Sequence, residues 1–154
     1  MVDRSTLLPR IDTELIAARK RRDELALGAL GLLKSEIVKA SKEPGQDGGV
    51  DDALVIRVIR REVKRRDEAA AAFRGGGREE QAARELEEAR LLRGYLPAGL
   101  SAADLETEVK AVIAELQPGG PGAFGQVMKA ASARLAGRAE GGEIAAVARR
   151  LLAQ

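Results

Sequence analysis

Arg57, Arg60, Arg61 and Lys64 stand at i, i+3, i+4 and i+7. On a helix, that spacing lines four cations along one face. Such a row is suited to holding anions, and the anion that itself comes in rows is a nucleic-acid backbone. Arg65 lies at the edge of the row; Glu62 interrupts the segment and faces another way. Two readings stay open: a phosphate-contacting ridge, or a solvated face neutralised by the acidic segment that follows. A second basic set is Lys129, Arg134, Arg138, Arg149 and Arg150, set against only Glu140 and Glu143, so residues 118–154 carry a net +3. The segment before it, 98–117, holds Lys110 against four acids. A basic helical tail with glycine-rich turns can lay arginines and backbone amides on phosphates. An ordinary basic surface has the same composition.

Other chemistry finds little support. The chain has no histidine and no cysteine. That removes the commonest general base and the thiolate nucleophile. Ser35, Ser41, Ser132 and Thr107 therefore have no imidazole to activate them. The carboxylates fall on outer faces, with no converging pair. No carboxylate spacing suggests a metal, and no cofactor is expected. The glycine stretches 75–77, 118–122 and 141–142 do not lead into Gly-Lys-Ser/Thr, so they read as helix connections rather than phosphate loops. The aromatics are Phe73, Tyr95 and Phe124. Base stacking on a single strand is thus a poor fit, and RNA contact is expected through shape and backbone.

The elements that must carry these residues are all helices. Leu7, Leu8, Ile11, Leu15 and Ile16 share one face of a first helix over 6–20. Leu27, Leu30, Leu33, Ile37 and Val38 stripe a second over 23–42, with Gly28 and Gly31 inside it. Interior glycine costs about 1 kcal/mol against alanine, which suggests close helix crossing or plain tolerance. After a turn-rich break at 44–50, Asp51 is a good N-cap for a third helix over 52–74. Its apolar side collects Val55, Val58, Ile59, Val63, Ala70 and Phe73. Gly75-Gly76-Gly77 ends it and permits a left-handed C-cap. The fourth helix, 78–95, is crowded with mixed charge and stops at Pro97.

That stop is the best domain boundary, giving an N-terminal helical domain at 1–96 and a C-terminal one at 97–154. Ser101 opens a fifth helix over 102–116. Two more follow, at 123–136 and 142–153. The fold class is all-α, with a four-helix part before a three-helix part. No strand pattern or tandem repeat is evident.

At 154 residues and 45% hydrophobic, the chain can bury a core, which must be aliphatic because aromatics are only 2%. The N-terminal segment alternates charged with apolar residues and is not a signal peptide. Nowhere do ~18 apolar residues run together, so no membrane association is expected. A cytoplasmic location is the expectation. The net charge of +2 is modest for an electrostatic nucleic-acid binder, but it conceals the polarised distribution above.

Three segments together resemble the YqeY-like proteins of the GatB/YqeY group, over nearly the whole chain. They are REVKRRDEAAAAFRGGGR at 61–78, ELEEARLLRGYLPAGLS at 85–101 and FGQVMKAASARLAGRAEGGEIAAVARRLL at 124–152. The matching positions are Gly125, Val127, Met128, Gly137, Arg138, Gly141 and the Tyr95-Leu96-Pro97 corner. The resemblance implies a two-part helical protein. Its C-terminal part would be similar to the tail of the B subunit of the glutamine-dependent aspartyl/glutamyl-tRNA amidotransferase, which handles transfer RNA. The carbon–nitrogen ligase label attached to the family follows that shared tail and not the catalytic domain. One departure matters: the family's usual Asp in the Gly-Arg-Ala-acid-Gly turn is Glu140 here, and Glu is the poorer N-cap. Arg138 fits either a phosphate contact or an arginine that satisfies carbonyls at the end of the preceding helix.

The functional expectation is a transfer-RNA-binding or amidotransferase-associated module without a catalytic centre of its own. The competing expectation is a protein–protein adaptor with no nucleic-acid role that uses the mixed-charge fourth helix; both leave room for a protein partner of translation or tRNA amidation. An independent glutamine-dependent amidase or ligase is a third.

Overall fold

The computed structural model describes residues 4–154, and among them the chain is all-helical, with no strand. It divides into two compact units, one running to Leu96 and one from Pro97 to Gln154.

The first unit contains α1 (Leu7–Lys20), α2 (Glu24–Ser41), α3 (Asp52–Gly75) and α4 (Glu79–Arg93). Its core is aliphatic: Leu7, Leu8 and Ile11 of α1, Leu30, Leu33 and Ile37 of α2, Val55, Val58 and Ile59 of α3, and Leu92 of α4 are buried. The 3–4 spacing of these residues gives each helix one apolar side. The N-caps follow the side-chain chemistry. Asp23 accepts from the Ala26 amide and Asp51 from the Leu54 amide, at 3.0 and 2.9 Å. At the α3–α4 turn, Gly77 takes φ +75, the left-handed conformation that the glycine run permits.

Gly28 and Gly31 do not mark a close helix crossing. A Cβ built at either position meets nothing within 4 Å. Plain tolerance is the correct reading of both.

α3 and α4 form an antiparallel hairpin, pinned along its length by ion pairs. Arg74 meets Glu79 near the turn at 3.3 Å, Arg66 meets Glu88 at 3.2 Å, and Asp67 pairs with Arg93. Midway lies a charged cluster inside the fold. Glu62 is 0% exposed and Arg66 4%. Arg66 Nη1 donates to Glu62 Oε2 at 3.0 Å and to the Glu62 carbonyl at 3.2 Å. Arg65 Nη1 stands 3.3 Å from the other Glu62 oxygen, an ion pair too poorly aligned to be a hydrogen bond. Glu62 therefore turns inward instead of joining a solvent face.

The start of α1 depends on a residue 45 positions away. The carboxylate of Asp52, first residue of α3, accepts from the Ser5 hydroxyl (2.6 Å), the Thr6 amide (2.8 Å), the Thr6 hydroxyl (2.5 Å) and the Leu7 amide (3.0 Å). It thus satisfies donors that the first turn of α1 leaves open. Burial pushes the Asp52 pKa up, but the four donated hydrogen bonds outweigh it and lower the value from 3.8 to about 2.

The second unit contains α5 (Ala102–Leu116), α6 (Ala123–Arg134) and α7 (Gly141–Leu152). Leu105, Val109, Val112, Val127, Ala131, Leu135, Ile144 and Ala148 form its core. Ser101 caps α5 by accepting from the Asp104 amide at 3.1 Å. Leu100 N–H donates to the Arg138 carbonyl at 3.0 Å, which ties the segment before α5 to the α6–α7 turn. Glu140 caps α7 after all. It forms a reciprocal capping box with Glu143, whose carboxylate accepts the Glu140 amide at 3.2 Å.

Candidate nucleic-acid interface

α3 is the longest helix of the fold, at 24 residues. Its inner face is fixed in the core by Val55, Val58, Ile59 and Val63, which leaves the cation row on the other side. Arg57, Arg61 and Lys64 are exposed, and Arg60 is half-buried at the margin of the packed face. The row is therefore three exposed cations with Arg60 beside them. One i,i+4 step along it covers about 6 Å.

Among the described residues, no ion pair joins an α4 carboxylate to Arg57, Arg61 or Lys64. The α4 carboxylates Glu79 and Glu88 are engaged with Arg74 and Arg66, neither of which belongs to the row. Acids from α2 and from α3 itself approach Arg61 and Lys64. Glu36 of α2 reaches Arg61 at 3.7 Å, beyond hydrogen-bond length, and Glu68 reaches Lys64 at 4.0 Å. Lys64 remains 79% exposed in that pair. Exposed contacts of this kind contribute at most about 1 kcal/mol. Arg57 has no ion pair among the described residues.

The basic tail is divided by its own unit. Arg134 is held by Glu108 at 3.1 Å and Glu115 at 2.9 Å, and these carboxylates push its pKa up, Glu115 first. Arg150 meets Glu106 at 3.3 Å; Lys110 and Arg150 together hold the Glu106 carboxyl below its ordinary value. The charge split between 98–117 and 118–154 is thus largely an internal pairing of α5 with α6 and α7. Over residues 97–154 the six cations Lys110, Lys129, Arg134, Arg138, Arg149 and Arg150 balance six acids: Asp104, Glu106, Glu108, Glu115, Glu140 and Glu143.

Three cations of the tail keep their charge turned to solvent. Lys129 and Arg138 are exposed without an ion pair among the described residues. The Arg138 side chain does not cap α6; its backbone amide does that work, donating to Leu135 O at 2.9 Å. Arg149 lies over the Phe124 ring, 4.9 Å from the centroid. That stacking orders the guanidinium and leaves its donors open.

Sequence spacing passed over two neighbours of the row, Glu36 and Lys39 on α2. Their signal was faint, a single i,i+3 acid–base pair on another helix. Among the described residues, no group of three or more acidic side chains is placed to hold a metal ion. None of their helices is long and apolar enough to cross a membrane.

No curated protein matches the chain. A family model does, that of the YqeY-like proteins, and it covers residues 8–152, taking in all seven helices but the first residue of α1. The helical hairpin carrying the cation row and the three-helix unit carrying Arg138 both fall within that match, and the chain belongs to the YqeY-like protein family.

Proposed function

We propose that this protein is an RNA-binding module, without a catalytic centre of its own, that engages transfer RNA through its phosphates and serves tRNA amidation. The observation that supports it best is the cation row on α3: Arg57, Arg61 and Lys64, exposed on a helix whose other face is locked in the core. Rigid placement matters, because phosphate contacts position a ligand only when the cations hold their spacing. Lys129, Arg138 and Arg149 of the second unit extend the contacts. Arg134 and Arg150 serve mainly to hold α5 against α6 and α7. Glutamine-dependent amidation in this family's relatives is read as kinship in RNA handling, because the chain offers no histidine or cysteine for amide transfer.

Binding of bulk tRNA to the full-length protein tests this reading. Arg57→Glu with Lys64→Glu weakens binding about tenfold or more, each reversal removing one phosphate contact and adding a repulsion. Arg138→Glu with Arg149→Glu weakens it by a smaller factor. Equal binding by all variants, or none by the wild type at low salt, rejects the proposal.

A second reading has its own observation. Glu80, Arg84 and Glu87 on the outer side of α4 are exposed and make no ion pair among the described residues. A protein–protein adaptor would use that face. A partner that survives nuclease treatment and is lost with Arg84→Glu and Glu87→Lys favours the adaptor.

A further inference from the structure

Glu36 of α2 sits where that helix meets α3. Its side chain is 14% exposed. Oε1 lies 3.3 Å from Lys39 Nζ on the same helix, and Oε2 lies 3.7 Å from Arg61 Nη2 on α3. One carboxylate thus answers two cations from two helices. Neither cation is consumed by it. Lys39 stays 73% exposed and Arg61 45%. The guanidinium fork of Arg61 donates no hydrogen bond to this carboxylate, so its paired donors remain available for an oxyanion. Arg57 stands one turn before Arg61 on the same face of α3. Arg57 is exposed and has no ion pair among the described residues.

We infer that Lys39, Arg57 and Arg61 form a seat for an RNA phosphodiester between α2 and α3, and that Glu36 is the built-in anion which the phosphate displaces. This rests on the RNA-binding reading and adds to it a residue that sets affinity. A carboxylate and a phosphate present similar paired oxygens to arginine. The tethered carboxylate competes at high effective concentration, so a lone phosphate ion does not dislodge it. A polyanion does, because a neighbouring phosphate engages Lys64 at the same time. Glu36 thereby favours long, phosphate-spaced ligands over small anions.

The test is Glu36→Gln in the full-length protein, titrated with bulk tRNA across a fourfold range of salt. Binding tightens roughly threefold, the change one phosphate contact makes over such a range, and the log–log salt slope steepens by about 0.7–0.9. Glu87→Gln on α4 removes the same charge and changes neither value. The gain disappears in Glu36→Gln with Lys39→Ala, and inorganic phosphate competes with tRNA at lower concentration for Glu36→Gln than for wild type. Should Glu36→Gln fail to fold, Lys39→Ala alone serves: it weakens tRNA binding about threefold.

Several outcomes overturn the seat. They are a Glu36→Gln protein that binds like wild type or like Glu87→Gln, a gain that survives Lys39→Ala, and a Lys39→Ala protein of unchanged affinity. A Glu36→Gln gain seen only for a protein partner also overturns it. If Arg57→Glu with Lys64→Glu still weakens binding in those cases, the RNA reading stands without the seat. If the wild type binds no tRNA, both fall.

Discussion

Asp52 receives four hydrogen bonds from Ser5, Thr6 and Leu7, and their direction fixes the sign of its pH dependence. All four favour the charged form, so the folded pKa lies at about 2 against an ordinary 3.8. A group lowered on folding adds stability above its unfolded pKa and loses it as pH falls through the folded one. Stability therefore declines between about pH 4 and pH 2 by roughly 1–2 kcal/mol, after discounting for solvent screening. Asp52→Asn removes that step from the pH profile of chemical denaturation while leaving the neutral-pH fold in place. An unchanged acid limb would contradict the assignment. Glu62 and Arg66 make a different case. Replacing only Arg66 with Met leaves Glu62 buried against Arg65 alone, a loss of about 3–5 kcal/mol. Replacing Glu62 as well, with Met at both positions, recovers a large part of it, which urea unfolding of the single and double variants measures.

Helix boundaries were largely legible because capping chemistry is local. Asp51 and Ser101 accept from the amides that their side-chain types predict. The interior of α3 was less legible. The row of cations is plain in the spacing, but Val55, Ile59, Glu62, Arg66 and Ala70 also follow the 3–4 spacing of the core stripe. Two charges on an apolar stripe were the available signal for a buried pair. The Asp52 contacts were not legible, since nothing in sequence joins residue 52 to residues 5–7. Gly28 and Gly31 could not be decided from sequence, because a glycine in a helix carries no mark that separates crossing from tolerance. At this scale, Gly28→Ala and Gly31→Ala should each stabilise the fold by about 0.5–1 kcal/mol, as the added methyls meet open space. Thermal unfolding checks it, and a loss of stability at either position would mean that another surface packs there. Glu140→Ala should cost about 1 kcal/mol through loss of the capping box on α7.

Over the whole molecule, charge placement carries the functional account. The net +2 suggests a weak electrostatic ligand, but the distribution matters more than the sum. The second unit spends Arg134 and Arg150 on its own acids. The first unit leaves Arg57, Arg61 and Lys64 exposed with only long contacts to acids. Composition showed both basic sets equally; only three-dimensional pairing separates the cations that hold the fold from those still open to a ligand. The account predicts that tRNA binding is dominated by a handful of phosphate contacts. The most direct measurement is the salt dependence of tRNA affinity for the wild-type protein. With about six open cations engaged, the log–log slope should be near −4 to −5. A slope near zero, or no binding at low salt, would contradict the account.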